Sequence, residues 1–166
     1  MSVIIRELIP ETDPQDMELL VPAYLAIWNH PDNLQFLSFT GRRFEETQVR
    51  DWCSRHIAVG VRYFGAFEEE QNIIGILLTK ADPLQGFELY SLGVWPQQHR
   101  RGVGTSLVRH GLRVASLDEY QAVDAQVYAT NAPMLCLLLN QGFLPVRIEY
   151  HRGLQGEDLV HLKKYL

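Results

Sequence analysis

A glycine turn flanked by arginines, Gln98-His99-Arg100-Arg101-Gly102-Val103-Gly104, is the part of this sequence best equipped for chemistry. It follows Glu88-Leu89-Tyr90-Ser91-Leu92-Gly93-Val94-Trp95-Pro96, a strand-like run that stops at a proline, and it opens an apolar-faced helix. The first amides of such a helix have no intrahelical partner, and with the positive end of the helix dipole they form an anion site. Glycines at 102 and 104 remove the Cβ atoms that would hold a bulky anion off the backbone. Such a site suits a pyrophosphate.

Two ligand classes fit the turn poorly. A nucleotide P-loop requires a Gly-Lys-Ser/Thr end, whereas Gly104 is followed by Thr105-Ser106 with no lysine. A dinucleotide fingerprint needs a third glycine where this chain has Leu107. Asp124 lies about 20 residues beyond the loop, as that fingerprint asks, but it begins a strand rather than ending one.

The elements around the turn follow from periodicity. Residues 3–8 read as a first strand. A helix runs from Asp13 or Pro14 to about Trp28, with Met17, Leu20, Val21, Tyr24, Leu25 and Trp28 at helical spacing. Asn29 to Gly41 reads as a polar connection, and a second helix runs from Phe44 or Glu45 to about His56. Val61–Phe67, Ile73–Lys80 and Phe87–Val94 read as strands, joined by turns at Glu68-Glu69-Glu70-Gln71-Asn72 and Ala81–Gly86. The helix after the glycine turn reaches about Leu117, its inner face carrying Val103, Leu107, Val108, Leu112, Val114 and Ala115. A strand at Gln121–Ala129, a short helix at Ala132–Gln141 and strands at Phe143–Tyr150 and Asp158–Tyr165 complete the order. The expected fold is α/β (α+β), a mixed sheet flanked by helices in one domain spanning 1–166.

Composition narrows the classes. Hydrophobic residues make up 46% and charged residues 21%, a globular balance. No apolar run approaches the roughly 20 residues of a membrane span, and Met1-Ser2-Val3-Ile4-Ile5-Arg6-Glu7 does not read as a signal peptide. Net charge is −5, with no long basic block, so no nucleic acid or membrane partner is expected. Cys53 and Cys136 lack paired spacing and read as reduced thiols of a cytoplasmic protein. The six histidines show no metal-ligand spacing, so no metal is expected; His30, His56, His151 and His161 read as surface or satisfied polar groups.

Two motifs in register resemble the GNAT superfamily of acyl-CoA-dependent N-acyltransferases. Its signature Arg/Gln-x-x-Gly-x-Gly/Ala follows a strand ending in Val-x-Pro; here His99-Arg100-Arg101-Gly102-Val103-Gly104 follows Val94-Trp95-Pro96. A second signature, an Asn opening a short apolar helix that ends in Gly-Phe, is matched by Asn131 through Gly142-Phe143. The resemblance implies a mostly antiparallel central sheet. It also implies acetyl-CoA as co-substrate, held by Leu92, Gly93, Val94, His99, Arg100, Arg101, Gly102, Val103, Gly104, Thr105 and Asn131, with a backbone N–H near Val94 facing the thioester oxygen. The reaction it implies is direct attack of a primary amine, on a small molecule or peptide, at the thioester.

Two positions depart from the pattern. His99 stands where the family has Arg or Gln. By count from Asn131, the family's proton-donating tyrosine falls on Leu138, which cannot donate. Tyr128 is the candidate replacement acid, with a structural tyrosine as the alternative. Glu88 is the candidate base, with a solvated strand carboxylate as the alternative; it shares a strand face with Tyr90. Asp32, Phe39, Arg42 and Tyr90 are the candidate acceptor contacts. Losing the usual acid costs a general-acid factor of about 10²–10⁴. A non-catalytic acyl-CoA-binding domain, and more remotely a dinucleotide oxidoreductase, are the competing functions. An exposed edge strand at the C-terminus would admit a homodimer.

Overall fold

Strands β2 (Val61–Glu69), β3 (Asn72–Asp82) and β4 (Gly86–Val94) form an antiparallel meander that centres the fold of this computed structural model, which describes residues 3–69 and 71–166. Met1 and Ser2, and Glu70 of the first predicted turn, lie outside the described residues. The other elements are β1 (Ile4–Leu8), α1 (Pro14–Trp28), α2 (Pro31–Leu37), α3 (Glu46–Cys53), α4 (Val103–Leu117), β5 (Ala122–Tyr128), α5 (Ala132–Asn140), β6 (Leu144–Glu149) and β7 (Leu159–Tyr165). They assemble one seven-stranded sheet in the order β1-β2-β3-β4-β5-β7-β6. Only β4 and β5 pair in parallel; every other neighbour is antiparallel. The mixed, mostly antiparallel α/β arrangement expected from the sequence is the one observed.

Period-two alternation on β3 distributes the core to both faces. Leu77 packs with Phe64, Leu89, Val103, Leu107 and Val108 under α4, whereas Ile76 and Leu78 pack with Leu20, Ile27, Trp28, Val49 and Tyr63 under α1 and α3. Each such aliphatic or aromatic side chain removed from water contributes roughly 1.5–3 kcal/mol. On α4 the inner face includes Gly111, where a Cβ would lie 2.7 Å from Leu89, so helix and sheet meet without a side chain between them. Leu112, predicted inward, is only partly buried.

Three expectations are corrected. The polar connection Asn29–Gly41 contains α2: His30 caps it through Nδ1 accepting from the Asp32 N–H at 3.3 Å, and Pro31 occupies its first turn. Its seven residues are too few for periodicity to announce them. The helix after Phe44 ends at Cys53, not His56, passing into a 3₁₀ turn at Ile57–Val59. The C-terminal strand is not an edge. β7 is hydrogen-bonded between β5 and β6, with Leu159 and Leu162 buried, and the edge on that side of the sheet is β6, which is exposed.

Candidate active site

The site begins where β4 and β5 part. Their parallel pairing extends only over Phe87, Glu88 and Leu89 against Val123, Asp124 and Ala125. Beyond it the strands diverge around a cleft of about 830 Å³. Its walls are α2 and the residues after it, the open edge of β4, the glycine turn, the end of β5 and the start of α5. A β-bulge marks the divergence: Ser91 opposes Leu78 and Leu89 opposes Thr79, which leaves Tyr90 as the extra residue on β4.

Beyond the bulge, the Trp95 N–H donates to the Ile74 carbonyl at 2.9 Å. Backbone groups alternate along a strand, so Gly93 and Trp95 turn toward β3 while Leu92 and Val94 turn toward the cleft. The Val94 carbonyl receives two side-chain donors there: Asn33 Nδ2 at 3.0 Å and His99 Nε2 at 3.0 Å. A carbonyl only accepts, so His99 carries a hydrogen on Nε2. Gly93 also lines the cleft, and no larger residue fits there, because a Cβ on it would sit 2.6 Å from the Trp28 ring of α1.

The glycine turn has the geometry an anion could use. Gly102 caps α4 at φ +84°, with open space where a Cβ would be, and no side chain caps the helix. The first helical bond runs from the Ser106 N–H to the Gly102 carbonyl at 2.9 Å, so the amides of Val103, Gly104 and Thr105 precede it. Those residues line the cleft together with His99, Arg100 and Asn131. Arg100 adopts φ +61°, unusual for a side-chain-bearing residue, and it too lies at the cleft wall. Arg101 is absent from the wall; its guanidinium donates to Gln98 Oε1 at 2.8 Å. Backbone amides, an open glycine and one cleft-facing arginine fit a diphosphate.

At the opposite wall, Asp32, Phe39 and Tyr90 line the cleft as expected, but Arg42 does not. Arg42 is exposed and serves its own loop, its carbonyl accepting from Ser38 Oγ at 2.8 Å. Asn33, Phe36, Leu37, Ser91 and Leu159 join the wall without having been singled out. The only sequence signal for the first three was the His30-Pro31-Asp32 start of α2. Among the described residues no group of three or more His, Cys, Asp or Glu is placed to hold a metal, and no helix is long and apolar enough to cross a membrane.

The sequence profile of the acetyltransferase (GNAT) family matches residues 18–143. The chain belongs to that family. Similar solved structures include a ribosomal-protein-alanine N-acetyltransferase from Brucella melitensis, at TM-score 0.77 and 20% identity over 98% of this chain and 99% of that one. An N-acetyltransferase from Staphylococcus aureus Mu50 aligns at TM-score 0.77 and 16% identity over 99% of each chain. A Salmonella typhimurium protein solved with its cofactor acetyl-CoA aligns at TM-score 0.75 and 17% identity, covering 100% and 95%. These likenesses show the GNAT fold. No curated protein matches the sequence.

Within this GNAT frame the two proton-handling candidates are separated. Tyr128 lines the cleft at the end of β5, buried, with its ring 5.5 Å from that of Phe39. Burial first, then the Glu157 charge, push its phenol up, with Arg152 opposing, so the hydroxyl keeps its proton at neutral pH. Glu88 lies two residues before the bulge and outside the cleft wall. It lines a smaller polar hollow of about 200 Å³ with Lys80, Asp124, Gln126 and His161. The cleft and the hollow share Ala125 and Gln126. Burial pushes the Glu88 carboxyl up, Lys80 pulls it down, and Asp124 raises it. Tyr90 shares this side, with the Lys80 ammonium 5.7 Å from its ring centroid.

Leu138 is fully buried in the core under α4 and α5 and takes no part in the cleft wall. From α5 it is Pro133, Met134 and Leu137 that reach the cleft, the Leu137 Cδ1 lying 3.0 Å from where a Gly104 Cβ would be. Asn131 caps α5, its Oδ1 accepting from the Met134 N–H at 3.3 Å, and also lines the cleft.

Proposed function

We propose that this acetyltransferase moves an acetyl group from acetyl-CoA to a primary amine of a small molecule or peptide, by direct attack of the amine on the thioester. The observation that carries the reading is the continuity of one cleft from the uncapped start of α4, past the open edge of β4, to the aromatic wall of Phe39, Tyr90 and Tyr128. A diphosphate fits the first end and an amine-bearing acceptor the last. Acetyl-CoA supplies the activated acyl carbon. The chain's part is to hold the diphosphate on the amides of residues 103–105, to present the Val94 N–H to the thioester oxygen, and to manage two protons.

The amine nitrogen forms the new C–N bond as the C–S bond breaks. The amine's proton leaves toward solvent and the Glu88 carboxylate, and the departing sulfur takes a proton from Tyr128. Glu88 stands outside the cleft, so its route is through water. Its burden depends on the acceptor: a lysine-like amine is neutral about one time in 10³ at pH 7, roughly 4–5 kcal/mol, while an α-amine needs far less. A thiol of pKa about 8.5 leaves tolerably even unassisted. The reading places the reaction in the cytoplasm, supported by two free cysteines, Cys53 and Cys136. The exposed β6 edge keeps a homodimer within it.

Burial of Leu138 favours a second reading, a domain that binds acyl-CoA without turning it over. Thiol release from acetyl-CoA across a panel of primary amines separates the two. Amine-dependent release, reduced by Glu88→Gln, supports transfer; CoA binding with no release on any amine and no effect of that variant supports the binding domain. Stabilisation by NAD(P) in place of CoA would exclude both.

A further inference from the structure

The structure assigns Asn33 and His99 a shared positioning role: together they clamp the Val94 carbonyl and thereby fix the strand edge that meets the acyl group. The inference deepens the acetyl-transfer reading and rests on it. Asn33 Nδ2 and His99 Nε2 each lie 3.0 Å from the Val94 oxygen, so its two lone pairs are both engaged. Asn33 is buried, 8% exposed, and its amide also donates to the Ile27 carbonyl at 2.9 Å, joining α2, the end of α1 and β4. His99 brings the clamp into the glycine turn.

The clamped carbonyl belongs to the peptide plane shared with Trp95, whose N–H donates to Ile74. That plane is therefore held on both sides, by side chains at its oxygen and by β3 at its nitrogen. Its orientation sets the direction of the neighbouring Val94 N–H. With the Val94 acceptor fully used, the cleft edge at this residue offers only a donor. A preorganised donor is what an oxygen gaining negative charge requires. The clamp also gives His99 a function at a position where the family has Arg or Gln. Glutamine can donate to the same carbonyl; leucine cannot.

Two donors on one acceptor predict non-additive losses. In calorimetric titration with acetyl-CoA, Asn33→Ala and His99→Leu should each weaken binding by about 2–5-fold, because the other donor stays. The double variant should lose at least about 3-fold more than the product of the two. His99→Gln should stay within about 2-fold of wild type. A purely structural Asn33 would lower the melting temperature without coupling to His99. Losses that simply multiply, or a His99→Gln variant as weak as His99→Leu, would overturn the proposal. Should Asn33→Ala fail to fold, the two His99 variants decide it alone. If wild type does not bind acetyl-CoA, the acetyl-transfer reading fails and the clamp is judged without ligand, by hydrogen exchange of the Trp95 amide. Exchange faster in the double variant than in either single one upholds it; unchanged exchange overturns it.

Discussion

The two ends of the cleft are made differently. The end that suits a diphosphate is built from backbone: the amides of Val103, Gly104 and Thr105, a glycine at φ +84°, and a helix with no side-chain cap. The end proposed for the acceptor is built from side chains of four separate segments, with Phe39 after α2, Tyr90 at the bulge, Tyr128 closing β5 and Leu159 on β7. A backbone site depends on a few glycines at fixed spacing. A side-chain site depends on how distant elements pack, so each of its residues can change alone.

The largest effect is expected at the acceptor end. Tyr128→Phe keeps the ring and its contact with Phe39 but removes the proton. We expect kcat to fall by about 10²–10⁴ with KM for acetyl-CoA nearly unchanged, measured by steady-state thiol release. An equal loss confined to KM would make Tyr128 a binding residue and blur the contrast between the ends.

At the backbone end, Gly102→Val forces a β-branched residue to a left-handed φ, costing on the order of 1–2 kcal/mol, and puts Cβ and two methyls where the diphosphate approaches. Affinity for CoA should fall by about 10–100-fold, one to two factors of ten at 1.4 kcal/mol each. Full retention of binding would show that Arg100 and His99, not the amides, hold the anion.

Restoring the family's tyrosine tests the core between the ends. Leu138 is fully buried, so Leu138→Tyr overpacks the interior and should cost about 1–3 kcal/mol in chemical denaturation, without raising kcat. A faster enzyme would place that residue within reach of the sulfur after all.

The smallest effects are expected at Glu88, on the margin of the acceptor end. Its folded pKa is raised, chiefly by burial, so the carboxyl binds its proton more readily folded than unfolded. It favours the folded state at low pH, and that advantage is lost as pH rises through the raised folded value. Glu88→Gln should therefore raise the melting temperature slightly at pH 8, by no more than about 2 °C, and leave it unchanged near pH 4. With a high-pKa amine, the wild-type rate should gain a carboxylate-dependent limb that falls away at acid pH and is missing in Glu88→Gln. The same profile in both proteins would make Glu88 a strand residue only.

The contrast also explains what could be read from residue order. Val94-Trp95-Pro96 followed by Gly102 and Gly104 specifies a local turn, and the helix expected to open there does so without a side-chain cap. Thr105 and Asn131 come to the cleft wall for the same reason: each sits at the start of a helix with a local signature. The acceptor end was less legible. Helix α2 is seven residues long, so Asn33 was passed over inside a polar stretch. Glu88 and Tyr90 were rightly put on one side of β4, but where two parallel strands part is a tertiary property, and it leaves Glu88 below the cleft. Arg42 and Arg101 looked equipped for binding, yet neither reaches the cleft wall, and the Arg101 guanidinium donates to Gln98 instead. The burial of β7 between β5 and β6 depends on long-range pairing that no hairpin signal states.

The most direct test of the account is thiol release from acetyl-CoA with a panel of primary amines, run in parallel on wild type and Gly102→Val. Acetyl transfer through this cleft predicts release that depends on the amine, saturates with acetyl-CoA and weakens in the variant through KM. Release at the rate of spontaneous hydrolysis with every amine, and no binding of CoA, would contradict it.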